Sequence, residues 1–279
     1  MATDSGRNAD ADVVKGFGQE WEHFDQSELS DTERAFVFDE YFSIFEWDKL
    51  PAQAVGFDAG CGSGRWAVLV APRVGHLHCI DPSSAIEVAR QNLIGASNCS
   101  FHRATVDDMP LADASMDFGY SLGVLHHVPD TEQGLVSCAQ KLKRGAPLLV
   151  YVYYAFDNQP AWFRALWRLS DMGRFVISRL PYPVKLVLTQ VIAAVVYWPL
   201  ARIAGALEQL GVSVHSFPLA EYRNRSFYSM RTDALDRFGT RLERRFTRRQ
   251  IVAMMERAEL ERIQFSSTIP FWCAVGYKK

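Results

Sequence analysis

The glycine-rich segment DAGCGSGRW, from Asp58 to Trp66, constrains the fold most. It follows the apolar run AVGFD and precedes a helical pattern, which predicts a turn between a strand and a helix. Glycines at 60, 62 and 64 let the main chain bend tightly and come close to a ligand, while the helix N-terminus beyond offers free N–H groups. The segment therefore predicts a ligand-binding turn, with a plain strand-to-helix turn as the competing interpretation.

Short apolar runs and helical patterns alternate on both sides of this turn. Strands are predicted at 54–58, 76–81, 98–103, 116–121 and 147–154, and helices at 65–71, 83–94 and 130–143. A helix at 247–258 and two strands at 261–267 and 271–278 close the chain, and these strands are predicted to form a hairpin at a sheet edge. Such alternation is typical of an α/β fold with a doubly wound, mostly parallel sheet.

Composition divides the chain into four predicted segments. Residues 1–50 carry 13 acids against 4 bases, and we expect a disordered leader over the first 14 residues, followed by aromatic-rich cap helices. Residues 51–154 form the predicted core, 155–246 a helical insertion that acts as an acceptor lid, and 247–279 the end of the sheet.

The cysteines and the N-terminus favour a cytoplasmic protein. The five cysteines are odd in number and widely spaced, and no CxxC pair occurs, so neither a disulfide framework nor a metal site is expected. The polar, acidic start of the chain is unlike a secretory signal. A net charge of −2 gives no electrostatic reason to expect a nucleic-acid partner.

Two acids indicate the chemistry of the ligand. Asp58 ends the first predicted strand, where it would repel a phosphate but attract an ammonium group. Position 65, where a dinucleotide-binding turn needs its third glycine, is an arginine. Asp81 ends the second strand, where a carboxylate accepts hydrogen bonds from ribose hydroxyls, although it could also cap the next helix. The pattern favours a nucleoside that carries an amino acid over a dinucleotide.

With these motifs the sequence resembles the class I S-adenosylmethionine-dependent methyltransferases over residues 54–154. The resemblance implies a seven-stranded, Rossmann-like sheet with an antiparallel C-terminal strand, a helical lid insertion, and S-adenosyl-L-methionine as the cofactor. It further implies a set of cofactor-binding residues: Trp21, Asp58, Gly60, Cys61, Gly62, Asp81, Pro82, Thr105, Val106, Asp107 and Ser121.

The resemblance also assigns roles within that set. The turn from Asp58 would hold the methionine end and Asp81 the ribose, while Trp21 would stack near the sulfonium as part of an N-terminal cap. The acid that many relatives present to adenine falls on Thr105, so that Asp107 or backbone groups of Val106 would serve instead. The run from Ser121 to 130 would line the acceptor side of the donor methyl.

His126 is the candidate catalytic residue. It adjoins the expected reaction centre, where a neutral imidazole could accept a proton from an acceptor hydroxyl. Its neighbour His127 is predicted to brace the following helix. Methyl transfer depends mainly on alignment of the reactants, so a catalytic base is not obligatory.

The insertion indicates what kind of acceptor the protein meets. Residues 186–206 have the length of a membrane span, but Pro199 and Arg202 interrupt them, and a span would separate the end of the chain from its sheet. Ordinary packed helices and an amphipathic surface that touches lipid both remain open. We expect peripheral membrane contact through 160–215, at the inner membrane face.

The resulting functional prediction is an enzyme, a methyltransferase that acts on a small hydrophobic or lipid-linked acceptor, by O-methylation through in-line displacement. One alternative is an NAD(P)-dependent oxidoreductase on a similar sheet, disfavoured by Asp58 and Arg65. The other is a non-catalytic S-adenosylmethionine-binding partner protein, which the motifs do not exclude.

Overall fold

The computed structural model describes residues 8–279, which fold into two units. The first, the sheet unit, contains the chain up to Gln26 together with 34–155 and 242–279. The second, the helical unit, contains 27–33 and 156–241. The unit boundaries therefore fall at 155/156 and 241/242, close to but not at the limits expected for the insertion.

The sheet has seven strands in the order β3-β2-β1-β4-β5-β7-β6. They are β1 Val55–Ala59, β2 His76–Ile80, β3 Cys99–His102, β4 Phe118–Leu122, β5 Pro147–Tyr151, β6 Leu260–Phe265 and β7 Ala274–Lys278. Strand β7 runs antiparallel to both of its neighbours, whereas β1 to β5 pair in parallel. The predicted mostly parallel, doubly wound sheet is confirmed, and the closing hairpin inserts β7 beside β5 and leaves β6 at the edge.

The centre of the sheet alternates large and small residues. Gly56 pairs with Phe118 and Phe57 pairs with Gly119 across β1 and β4. A Cβ built on Gly56 would lie 2.3 Å from the Phe118 ring, and one on Gly119 would lie 2.3 Å from the Phe57 ring. The two glycines therefore provide the space in which buried aromatic rings pack at the middle of the sheet.

Helices of the sheet unit follow the predicted order with shifted boundaries. They are α1 Ala11–His23, α3 Ala67–Val70, α4 Ala85–Asn92, α5 Thr131–Lys141 and α10 Arg248–Arg257, with α2 Asp31–Phe42 beginning in the helical unit. Helix α10 begins with a capping box in which Thr247 and Gln250 exchange hydrogen bonds. The helix predicted at 65–71 is shorter at both ends, because it begins only at Ala67 and a 3₁₀ turn at Ala71–Arg73 follows it.

The expected disordered leader of 14 residues is wrong for its described part. Residues 1–7 lie outside the described residues, but α1 already begins at Ala11, since the Asp10 side chain accepts a hydrogen bond from the Val13 N–H. Val13 is buried. One cap and one apolar contact thus start the helix within the polar segment.

The helical unit is built on α9, Phe227–Gly239. Helices α6 Ala161–Ile177, α7 Tyr182–Ile192 and α8 Trp198–Gln209 precede it, and a π-helical segment, Ala193–Tyr197, joins α7 to α8. The small core of this unit combines one face of that joined helix with one face of α9: Ala193, Tyr197, Ala201, Met230 and Ala234.

Candidate active site

The turn after β1 is held against the end of β2. Backbone N–H groups of Gly60 and Cys61 both donate to the Ile80 carbonyl, at 2.8 and 3.0 Å. Gly60 has a φ of +83°, and a Cβ there would lie 2.4 Å from the Val124 side chain. Only glycine tolerates both the positive φ and the close approach of Val124 without strain. The turn is therefore packed between β2 and the segment after β4, next to Asp81.

Asp58 is a buried acid at the carboxyl end of β1, only 1% exposed. Burial raises the pKa of its carboxyl to about 8, with the charge of Asp81 adding to the shift and the neighbouring Tyr120 hydroxyl opposing it. Among the described residues its Oδ2 has no hydrogen-bond partner. A buried acid of this kind favours a cationic ligand group, since an ammonium ion would stabilise the ionised form.

Asp81 is also buried, and protein donors already engage both of its oxygens. Oδ2 accepts from the Gly62 N–H at 3.0 Å, and Oδ1 accepts from the N–H and the hydroxyl of Ser83. A carboxylate has about four acceptor positions, so these three bonds leave capacity for a ligand hydroxyl. On its helix side Asp81 bonds to Ser83, which precedes α4, and makes no hydrogen bond to the first turn of that helix among the described contacts. Pro82, half-buried between them, accepts from the Arg103 Nε at 3.4 Å.

Trp21 of α1 lies beside the glycine-rich turn. A Cβ on Gly62 would lie 2.9 Å from the Trp21 indole nitrogen. The Arg65 guanidinium lies 5.6 Å from the centre of the Trp21 ring and 4.4 Å from that of Trp66. The structure thus places Trp21, the predicted cap residue, beside the glycine-rich turn. The Arg65 guanidinium lies next to its ring. The stacking of Trp21 on a sulfonium stays a prediction.

Thr105, Val106 and Asp107 follow β3, as the predicted adenine side requires. The Thr105 hydroxyl is buried and has no partner among the described residues, while Val106 packs into the core. Asp107 accepts from the Asn8 N–H at 2.9 Å through Oδ2, and its buried Oδ1 has no partner in the described part of the chain. Asn8 escaped sequence reasoning because it falls within the segment expected to be disordered.

Two residues predicted to bind the cofactor have side chains that serve the fold. The Ser121 hydroxyl is completely buried and donates to the Ala59 carbonyl at 2.8 Å, which ties β4 to β1. The Cys61 side chain packs in the core, and burial raises the pKa of its thiol to about 11. Any contact they make with a cofactor would therefore involve main-chain groups.

His126 is completely buried, and neither ring nitrogen has a hydrogen-bond partner among residues 8–279. Its ring stacks on that of Tyr153, with 3.9 Å between the ring centres. Burial lowers the pKa of His126 well below its usual range, and His127 and Arg245 act in the same direction. The imidazole is therefore neutral and able to accept a proton. A buried imidazole is costly when the described residues leave both of its nitrogens without partners, so these atoms call for an explanation beyond packing.

The remaining neighbours of His126 come from distant parts of the sheet unit. The Nδ1 atom of His127 lies 2.7 Å from the Leu242 carbonyl, and the Arg244 N–H donates to the His126 carbonyl at 3.0 Å. The Arg245 guanidinium lies 4.8 Å from the centre of the Tyr153 ring. Sequence reasoning missed Tyr153 and Arg245 because no local pattern connects positions so far apart.

Several buried polar groups at the end of β1 and in the segments of β3 and β4 have no hydrogen-bond partner among the described residues. They include Asp58 Oδ2, Thr105 Oγ1, Asp107 Oδ1 and both ring nitrogens of His126, together with Ser63 Oγ and the Tyr120 hydroxyl. Such groups require hydrogen-bond partners, and their chemistry fits a ligand with an ammonium group, sugar hydroxyls and a base. No group of three or more metal-ligating side chains occurs among the described residues.

Comparison with known families identifies the same part of the chain. Residues 57–150 match the model of a family described as a methyltransferase domain. A ubiquinone biosynthesis O-methyltransferase of Hahella chejuensis is 34% identical over 108 residues, which are 38% of this chain and 45% of that protein. The O-methyltransferase resE of Aspergillus sclerotiorum is 35% identical over 98 residues, 33% of this chain and 37% of that protein. The chain thus spans less than half the length of these relatives.

Solved structures share the fold over most of the chain. A Haloferax volcanii protein named as a methyltransferase, solved with a methyltransferase activator, has a TM-score of 0.53 at 14% identity and covers 95% of this chain and 98% of its own. A Nostoc punctiforme protein named as an O-methyltransferase has a TM-score of 0.52 at 14% identity, over 92% and 60% of the two chains. At these identities the likeness concerns the fold.

Proposed function

On the premise that residues 57–150 match a methyltransferase domain, we propose that the chain is a class I enzyme that transfers a methyl group from S-adenosylmethionine to an oxygen atom. The observation that carries this proposal is that Asp58 Oδ2 and the ring nitrogens of His126 are buried and have no hydrogen-bond partner within residues 8–279. One lies at the end of β1 and suits the cationic donor, and the other follows β4 and suits an acceptor hydroxyl.

In the proposed complex the sheet unit would supply a binding group for each polar part of the donor. Asp58 would pair with the ammonium group, and Asp81 would accept from the ribose hydroxyls. Thr105 and Asp107 would face the base. When bound, S-adenosylmethionine supplies an electrophilic methyl group on a positively charged sulfur. What the protein adds is alignment of the reactants, which accounts for a large part of many rate enhancements.

His126 is the residue that would take up the proton of the acceptor hydroxyl. Its lowered pKa keeps the imidazole neutral but also makes it a weak base. A weak base is best matched to an acidic hydroxyl, such as a phenol with a pKa of about 10, rather than to an aliphatic alcohol. The names of the two curated relatives support oxygen as the attacking atom. We therefore favour phenolic acceptors.

The proposal extends to the surroundings of the acceptor. We place the protein in the cytoplasm, where its five cysteines stay free thiols. The acceptor is small and hydrophobic or lipid-linked, and peripheral contact with the membrane through 160–215 would give access to it. The apolar composition of that stretch supports this part of the proposal.

Calorimetry with S-adenosylhomocysteine and with NADH tests the cofactor. We expect binding of the first and none of the second, whereas the reverse result would favour an oxidoreductase. Incubation with methyl-labelled S-adenosylmethionine and alkyl catechols of increasing chain length then tests catalysis. Binding without any transfer across the series would favour a non-catalytic donor-binding protein.

The variant His126→Gln tests the role of the imidazole. It should lower the transfer rate by about 10²-fold or more, the usual contribution of a positioned base, and leave the affinity for S-adenosylhomocysteine unchanged. His76→Gln is the matched control, because His76 lies at the opposite end of β2 and bonds to the Ser100 hydroxyl. Equal rates in the two variants would remove His126 from the mechanism.

A further inference from the structure

The joined helix Tyr182–Gln209 of the helical unit presents an exposed apolar stripe, here called the long stripe. Its residues recur every three or four positions, the spacing of a single helix face. They are Val184, Val187, Leu188, Val191, Val195 and Trp198. From Val184 to Trp198 the stripe runs for about 21 Å of helix. An apolar surface of this length is unusual on a protein that meets only water.

The opposite face of the same helix is committed to the helical unit. Thr189, Ala193 and Ala201 are completely buried, and the last two pack with Met230 and Ala234 of α9. Lys185 donates to the Gly239 carbonyl at 3.0 Å. The helix has the length and composition of a membrane span, but a span would expose these packed and polar contacts to hydrocarbon. The long stripe therefore points to contact along a surface rather than passage through it.

Helix α6 carries a second exposed row, here called the short stripe. It consists of Trp162, Leu166, Leu169, Met172 and Val176. The other side of α6 faces the unit interior, where Arg174 donates to the carbonyls of Thr240 and Arg241 at 3.0 and 3.2 Å. Two helices that both pack on α9 thus leave apolar rows in solvent.

Charges beside the stripes indicate what covers them. Residues 161–209 contain six basic residues against two acids, Asp171 and Glu208. Asp171 is paired with Arg174, and Glu208 is paired with Arg223 at 2.7 Å. Both acids are therefore already neutralised within the unit.

Helix α6 carries two of these basic residues on its exposed surface. Arg164 and Arg168 are exposed beside the short stripe and have no ion-pair partner in the part of the chain that the structure describes. A second copy of this chain would bring such a surface against another of the same sign. Anionic lipid headgroups would complement it.

The aromatic residues agree with this assignment. Trp162 and Trp198 are 53% and 48% exposed, one on each stripe. Tryptophan has an apolar ring with one polar N–H, and it is enriched where hydrocarbon meets the headgroup region. Basic residues and tryptophans on a helix that also carries an exposed aliphatic row are features of an amphipathic helix that lies in a membrane interface.

We propose that the helical unit binds peripherally to bilayers containing anionic phospholipids. The two stripes enter the acyl boundary, and Arg164 and Arg168 remain at the level of the headgroups. This deepens the membrane contact suggested above by naming the surface and the lipid, and it does not depend on methyl transfer. The donor-binding residues lie in the sheet unit, so a failure of one proposal is distinguishable from a failure of the other.

Vesicle flotation of the full chain tests the surface, with vesicles of phosphatidylcholine alone and mixed with phosphatidylglycerol. The double variant Val191→Glu/Val195→Glu should lower partitioning by at least about tenfold on the mixed vesicles. Ile94→Glu is the matched control, because Ile94 is 91% exposed but lies in the sheet unit. Unchanged S-adenosylhomocysteine affinity and circular dichroism would show that each variant is folded.

A second double variant tests the two exposed arginines of α6. Arg164→Gln/Arg168→Gln should lower partitioning on the mixed vesicles by about 30-fold, and leave the weaker binding to phosphatidylcholine unchanged. No flotation of the wild type with anionic vesicles would overturn the proposal. So would a dimer that the stripe variant converts to a monomer, since the stripes would then cover each other, or resistance to alkaline extraction, which indicates a spanning helix.

Discussion

The affinity for the donor should depend on pH through a single buried carboxyl, that of Asp58. Burial raises its pKa to about 8 in the free protein, whereas the proposed partner, an ammonium group, requires the ionised form. The fraction of protein ready to bind then falls about fivefold between pH 8 and pH 7 and about tenfold for each unit below that, and apparent affinity falls with it. Between pH 8 and pH 6 the loss should reach about 50-fold.

The same shift determines how stability depends on pH. Between pH 4 and pH 8 the Asp58 carboxyl is protonated in the folded state, whereas in the unfolded state, where its pKa is the ordinary 3.8, it has already released the proton. Stability of the free protein therefore decreases as the pH rises from about 4 to about 8. A bound ammonium group offsets this loss, so that the thermal stabilisation by S-adenosylhomocysteine should increase over the upper part of the same range.

Isothermal titration calorimetry measures both effects. Binding of S-adenosylhomocysteine at pH 6, 7 and 8, in buffers that differ in ionisation enthalpy, should release close to one proton at the lower pH values. Asp58→Asn keeps the size of the side chain and should remove both the proton release and the pH slope. Asp113→Asn is the control, because Asp113 is an exposed acid paired with Lys141. A flat pH profile of the wild type, or an unchanged slope in Asp58→Asn, would refute the reasoning.

Three further substitutions separate binding from stability. Asp81→Ala should weaken S-adenosylhomocysteine binding by about 1 to 3 kcal/mol in calorimetry, because it removes the acceptor for the ribose hydroxyls, and equal affinity would contradict that role. Gly60 and Gly145 both have a positive φ, so replacing either by alanine should lower the free energy of unfolding by about 1–2 kcal/mol. Only at position 60 would the added Cβ contact the Val124 side chain. Urea unfolding should therefore show an additional loss of about 1–3 kcal/mol for Gly60→Ala, and equal losses would disprove the close contact. Thr247→Ala should lower the free energy of unfolding by about 1 kcal/mol through its lost cap while the affinity stays the same, and a change in affinity would argue against a purely local effect.

Local patterns were sufficient for the main-chain framework of the site. The glycine-rich turn and its two acids could be placed from the sequence because a strand end, a bend and a helix start each depend on neighbouring residues. The structure holds that turn against Ile80, beside Asp81, as the strand order requires. The boundaries were less accurate, since the last turn of a helix depends on contacts that propensity does not describe.

Side chains from distant segments could not be predicted in this way. Tyr120 lies beside Asp58 because β1 and β4 pair in one particular register. Tyr153 and Arg245 reach His126 because residues after β5 and before α10 meet there. No periodicity within a single segment contains that information.

The sequence by itself determined the order of the elements, the parallel sheet and the identity of the two acids, because these depend on apolar period and turn chemistry along the chain. Tertiary structure alone decided that Asp58 is buried enough to hold a proton at neutral pH and that the His126 ring is neutral and has no hydrogen-bond partner in the described part of the chain. It also decided that the apolar face of α7 and α8 points into solvent. Desolvation and exposure are properties of a side chain's surroundings, and distant segments create those surroundings.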